Sequence, residues 1–304
     1  MARCARFKTN DAIFHVMIKS IPEINLFGLD CDKEMYLDIL KFYQQIYHFK
    51  VYSYCLMSNH GHFIIDCNGA DISRVMHSIN FKYALNFNKK HNRNGHLFRE
   101  RFKSKVINSE RYLLTASAYI HRNPVDIIGY KDSPENYKYS SLAVYLGLRN
   151  DPKGILDEDF VMQLFSSNVK KARKKYKKFI YLCDDKKLKY EEDYENTKKE
   201  YSSDREIITR DWNPQEILKF ISNEIGVECI SSLKTNDSNI IHARAVSAVL
   251  LRGLCNLTCS DISQILGDIP LYMVSKLCRI GVKILYERRQ FENVLNNFIP
   301  SYSS

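Results

Sequence analysis

Along the first half of the chain, hydrophobic and polar positions fall into short blocks, and each block predicts one element. Residues 12–18, with Ile13, Phe14, Val16, Met17 and Ile18, form an apolar run rich in β-branched and aromatic side chains, which predicts a strand. Tyr36, Ile39, Leu40, Tyr43 and Tyr47 recur at helical spacing and predict a helix over 33–47, capped by Asp30 or Asp32. Residues 50–57 and 62–67 read as two strands of a hairpin, with Asn59 and Gly61 as the turn formers between them. A helix opened by Asp71 or Ser73 carries Val75, Met76, Ile79, Tyr83 and Phe87 on one face. A fourth strand at 104–107 leads into a helix over 110–123, capped by Ser109 and stopped by Pro124. The order β-α-β-β-α-β-α predicts an α+β fold, a ferredoxin-like split βαβ arrangement with a four-stranded antiparallel sheet and helices on one face.

The second half reads as helical. Residues 157–182 include the basic run 170–178, which suits a solvated helix face or a phosphate-tracking one. Residues 184–211 are charged and poor in apolar side chains, as expected of a linker or an exposed helix. Helical spacing returns at 241–254, 260–266 and 271–288, with Thr258 or Ser260 as a cap and Gly267 ending the short middle helix. A short helix, a tight turn and a longer helix carrying Lys276, Arg279 and Lys283 predict an all-α helix-turn-helix domain that enters duplex DNA, with a dimerisation bundle as the alternative. Three parts follow: a catalytic domain over 1–150, a charged helical connector over 151–210 and the all-α domain over 211–304.

Composition narrows the function classes. With 304 residues and 45% hydrophobic side chains the chain can bury real cores, and no run of 18 apolar residues suggests a membrane span. No apolar stretch follows the basic N-terminus, and the 9 cysteines are scattered without a Cys-x-x-Cys pair. A reducing bacterial cytoplasm, in association with the nucleoid, is the expected location. The net charge of +10, together with 20 tyrosines, favours a polyanionic partner, of which nucleic acid is the commonest. Residues 89–103 carry Lys89, Lys90, Arg93, Arg99, Arg101 and Lys103 interleaved with Phe98 and Phe102. Such a loop can hold phosphates with its cations while an aromatic stacks on bases, or it can be a solvated connection with both rings in the core.

The candidate chemistry centres on two clusters. In an extended segment His60 and His62 project to one side and Phe63 and Ile65 to the other, towards a core, so two imidazoles can share a metal ion. The plainer alternative is a solvent-facing pair on a half-buried strand. Tyr119 and Asn123, four residues apart on the predicted helix, share a face; Tyr112, two turns earlier, lies on nearly the same face and is the substitute for Tyr119.

The strand around Phe14-His15-Val16, the segment Leu56-Met57-Ser58-Asn59-His60-Gly61-His62, the segment Gly95-His96-Leu97-Phe98-Arg99-Glu100-Arg101-Phe102-Lys103 and the segment Tyr119-Ile120-His121-Arg122-Asn123-Pro124 occur in that order. In this the first half resembles the single-tyrosine HUH transposases, above all the REP-associated tyrosine transposase group. That resemblance implies an HUH nuclease fold, a divalent ion (Mg2+ or Mn2+) held by His60, His62 and Asn123, and Tyr119 as the nucleophile that cleaves single-stranded DNA through a phosphotyrosine. Glu100, where relatives often carry glycine, departs from the pattern. Residues 243–246 and 262–267 resemble, more distantly, the C-terminal DNA-binding domain of the bacterial initiator DnaA, but Ile269-Pro270-Leu271-Tyr272 replaces its base-reading sequence. The expected function is a metal-dependent single-stranded DNA endonuclease and strand transferase acting on single-stranded or hairpin ends, binding duplex DNA through its C-terminal domain, with homodimerisation left open. The alternatives are a domesticated DNA-binding protein with an idle nuclease, and an HUH replication or conjugation initiator. Against the last stands the lack of a glycine-rich phosphate loop.

Overall fold

The computed structural model describes residues 11–182, 205, 207–227, 230 and 237–287; most of the connector expected at 184–211 lies outside them. The described residues run β1 (Ile13–Lys19), α1 (Asp30–Tyr47), β2 (Lys50–Leu56), β3 (His60–Asp66), α2 (Ile72–Lys90), β4 (Lys103–Ile107) and α3 (Glu110–Arg122). The four strands form one sheet in the order β2-β3-β1-β4, and every neighbouring pair is antiparallel. This is the split βαβ order expected from the sequence. β1 and β3 are therefore the central strands, each hydrogen-bonded on both sides, and their register sets Met17 opposite His62 and Lys19 opposite His60.

Strand alternation sorts the two faces. Phe63 points to the side where Tyr36 of α1 stacks on it at 5.6 Å, and Tyr83 of α2 meets Tyr36 edge-on at 5.1 Å. These rings, all buried, form the centre of the core beneath α1 and α2. His62 points the other way, toward α3. The expectation of helices on one face is thus corrected: α3 covers the second face, where Ser117 Oγ lies 3.4 Å from Ser53 Oγ of β2. The order of elements alone does not fix which face the helix after β4 takes.

α3 starts where Ser109 accepts a hydrogen bond from the Tyr112 amide at 3.2 Å, a cap that contributes about 1 kcal/mol. Its outer side is held by α6 (Val169–Leu182), which follows two short helices, α4 (Leu142–Tyr145) and α5 (Asp159–Gln163). The α6 residue Tyr176 is fully buried, with its hydroxyl 2.6 Å from both Ser117 Oγ and His121 Nδ1, and His121 Nε2 is 2.7 Å from Ser141 Oγ. The lysines of the basic run sit mainly on the exposed side of α6, while Ala172, Tyr176 and Ile180 are buried.

The chain divides into two compact units, one of Met1–Lys41, Phe49–Cys67 and Ile72–Arg205, the other of Phe42–His48, Asn68–Asp71 and Glu206–Ser304. The second unit contains α7 (Pro214–Ile225), α8 (Ser238–Leu254), α9 (Cys259–Ile265) and α10 (Leu271–Glu287). Asn213 caps α7, and Thr258 and Asp261 form a reciprocal capping box at the start of α9. α10 lies so close along α8 that a Cβ on Gly281 would collide with the Ala245 carbonyl, which is why the position carries glycine. No helix of the described residues is long and apolar enough to cross a membrane.

Candidate active site

β3 places His60 and His62 on the α3 side of the sheet, and Gly61 between them faces the aromatic core. A Cβ on Gly61 would meet Leu56, Phe63 and Phe27 at 3.2, 3.2 and 3.3 Å, so the rings close up behind the histidines because that side chain is missing. The His60 and His62 rings are perpendicular, 5.1 Å apart. His62, only 3% exposed, has its Nδ1 3.1 Å from His15 Nε2 on the neighbouring strand β1. Tyr119 of α3, half-buried, meets the His62 ring edge-on at 5.4 Å and the His15 ring at 6.0 Å.

Asn123 closes the group. It is the first residue after α3, at the start of a 3-10 turn (Asn123–Asp126), and its side-chain amide donates to the Tyr119 carbonyl at 2.8 Å. It also hydrogen-bonds His60, whose Nδ1 is 2.7 Å from Asn59 Oδ1. The other tyrosine of the helix is in a different setting: Lys105 of β4 sits over the Tyr112 ring at 5.2 Å.

Burial makes the imidazoles neutral. It pushes His15 down to about 4, with Lys105 adding to the effect, and holds His62 well below the ordinary histidine value, with His15 and His60 adding theirs. His60 is lowered by burial too, opposed by its bond to Asn123. A neutral imidazole offers a lone pair, which is what a metal ligand requires. The donor chemistry of His60, His62 and Asn123, two such imidazoles and an amide, suits a divalent ion that keeps open positions for phosphate oxygens. Among the described residues, no group of three or more His, Cys, Asp and Glu side chains is disposed to hold a metal.

His15 escaped the sequence reading as a site residue. Its only signal is a polar side chain within the apolar strand Ile13–Lys19, at a position whose face becomes known only once β1 is paired with β3.

The basic residues are distributed along one connection. α2 extends through Lys90, so Lys89 and Lys90 belong to its last turn and not to a loop. Lys90 pairs with Asp32 at 2.7 Å, and Arg93 donates to Asn88 at 2.8 Å. Arg99, Arg101 and Lys103 are exposed, the last paired with Glu100 at 3.4 Å. Phe102 is only 6% exposed and belongs to the core, which corrects its reading as a stacking surface. The segment is pinned to the end of β1: the Arg99 amide donates to the Lys19 carbonyl at 3.0 Å and the Ile21 amide to the Leu97 carbonyl at 3.2 Å. In the second unit, Lys276, Arg279 and Lys283 are exposed on α10, opposite the buried Val274, Leu277, Cys278 and Val282.

Residues 8–123 match the protein family described as "Transposase IS200 like". No match is found among curated proteins. A solved structure described as "Structure of the REP associates tyrosine transposase bound to a REP hairpin" is similar at 15% sequence identity and a TM-score of 0.42, over 52% of this chain and 90% of that chain.

Proposed function

We propose, from the match of residues 8–123 to the family described as "Transposase IS200 like", that the protein cleaves and rejoins single-stranded DNA through Tyr119. The observation that carries this reading is the position of Tyr119, edge-on to His62 and His15 and bonded through its carbonyl to Asn123, which in turn bonds His60. Tyr119 Oη forms a bond to phosphorus as the scissile phosphodiester P–O bond breaks, and the released oxygen of the leaving strand takes up a proton. One ester replaces another, so the phosphotyrosine keeps the bond energy needed for rejoining when a strand hydroxyl later attacks it. His60, His62 and Asn123 would hold the Mg2+ or Mn2+ ion. Bound there, such an ion supplies positive charge to the non-bridging phosphate oxygens. His15 orients the His62 ring by the contact between Nε2 and Nδ1.

The substrate class is a single strand or a hairpin end, because an unpaired backbone can bend its phosphate toward a residue on a helix lying over a sheet. The exposed row Lys276, Arg279 and Lys283 on α10 supports duplex binding by the second unit in helix-turn-helix fashion. A second reading, a DNA-binding protein with an idle nuclease, has one observation in its favour: the candidate metal ligands include no carboxylate among the described residues.

Incubation with labelled single-stranded DNA and Mn2+, followed by denaturing gels, tests the proposal. The parent is expected to form a covalent protein–DNA adduct, and Tyr119→Phe to form none while binding DNA as before. An adduct that persists in Tyr119→Phe and vanishes in Tyr112→Phe moves the nucleophile two turns toward Lys105. No adduct with any variant, alongside retained DNA binding, establishes the idle-nuclease reading.

A further inference from the structure

A cavity of ≈580 Å3 opens between α2 and the segment 95–102, a size suited to one small ligand and too small for a folded partner. Its α2 wall carries His77 and Phe81, whose rings stack at 5.8 Å with 17° between their planes. Phe81 is 57% exposed, an unusual amount for a phenylalanine that could have been buried, so a flat π surface faces the cavity and solvent. Phe98 lines the opposite wall, Arg74 and Arg101 stand among the lining residues, and Asn80 presents an amide whose Oδ1 already accepts from Tyr36 at 3.1 Å. Aromatic faces together with the Arg74 and Arg101 guanidinium groups, the Asn80 amide and the Glu100 carboxylate suit a planar heterocycle with donor and acceptor edges.

The segment that walls the cavity is hydrogen-bonded to the end of β1, the strand that pairs with β3. Phe98 pairs with Ser20, the Arg99 amide binds the Lys19 carbonyl, and Lys19 is the register partner of His60. The cavity wall and the histidine strand β3 are thus both tied to the end of β1, with α2 on one face of the sheet and His62 on the other. We propose that the cavity receives one unpaired nucleobase of the strand that Tyr119 cleaves, stacked on Phe81 and His77. The base, rather than the sugar or phosphate, is the element recognised. This assignment rests on the DNA-cleaving reading and adds to it a protein pocket that selects which phosphate reaches Tyr119.

The test is an abasic-site scan. A set of single-stranded oligonucleotides carries one abasic site, moved one nucleotide at a time through the cleaved region, and binding is measured for the parent, Phe81→Ala and Phe81→Trp. One abasic position is expected to weaken parent binding about tenfold, as loss of one stacked base does. Phe81→Ala should weaken binding of intact DNA by a similar factor and show no further loss at that position, whereas Phe81→Trp should keep the parent pattern. Because Phe81 is exposed, the melting temperature of each variant checks that the fold is unchanged. Losses that add at every position, or an abasic scan without a sensitive position while the Tyr119 adduct still forms, overturn the pocket and leave the cleavage reading standing. Absence of both single-strand binding and adduct in the parent overturns the two together.

Discussion

At the scale of single residues, the decisive quantity is the protonation of three imidazoles. A histidine exposed to water competes for protons near neutrality, but His15, His60 and His62 are all shifted downward by burial, so a metal arriving at pH 7 displaces no proton from them. Cleavage is accordingly expected to require Mg2+ or Mn2+, to stop in excess chelator, and to fall by roughly a hundredfold or more in either His60→Ala or His62→Ala. The assay is adduct yield on a labelled strand against added metal. Full activity in chelator would remove the metal from the mechanism. The histidine pair and Tyr119 were legible in the sequence because each belongs to a local pattern, two residues apart on a strand or four apart on a helix. His15 was not, because its importance depends on a partner 47 positions away, and no local period encodes that pairing.

At the scale of elements, α3 is positioned from behind. His121 is fully buried, and both of its ring nitrogens are used, one by Tyr176 of α6 and one by Ser141. Burial pushes its pKa from 6.5 down to about 3. Between these values the unfolded chain binds a proton that the folded chain refuses, so stability falls as pH drops from about 6.5 toward 3, by about 1.4 kcal/mol for each unit of difference that is realised. Thermal melts over that range should show this slope, and His121→Gln should have a lower midpoint near neutrality but a slope reduced by about one proton. An unchanged slope would assign the acid sensitivity to other buried histidines. Strands, α1, α2 and the cap at Ser109 followed from periodicity and capping chemistry. What did not follow was the face taken by α3 or the partner chosen by Tyr176, since both are decided by shape complementarity between elements distant in the chain. α7 was missed as well. Its Asn213-Pro214 start is a recognisable helix opening, but it directly follows the charged stretch that read as a linker.

At the scale of the whole molecule, two kinds of DNA contact are expected to separate. Lys276, Arg279 and Lys283 are exposed on a helix whose opposite side is buried, so replacing all three by alanine leaves the packing of the second unit intact. The triple variant should bind duplex DNA more weakly and with a shallower dependence on salt, by about three counterions if each side chain meets a phosphate, while cleaving a short single strand at the parental rate. Titration across a salt series measures this; an unchanged slope, with self-association of the protein, would make the unit a dimerisation bundle. The sheet order carries a different kind of consequence. His60 and His62 lie on β3, which is hydrogen-bonded to β2 on one side and β1 on the other. Because side chains alternate, loss or gain of one codon between the two histidines would turn one imidazole into the ring cluster of Tyr36 and Phe63, and neither neighbouring ladder could slide to restore it. The pair therefore cannot migrate along its strand in small heritable steps: in descendants of this chain it persists in place by point substitution around it or disappears in a single event.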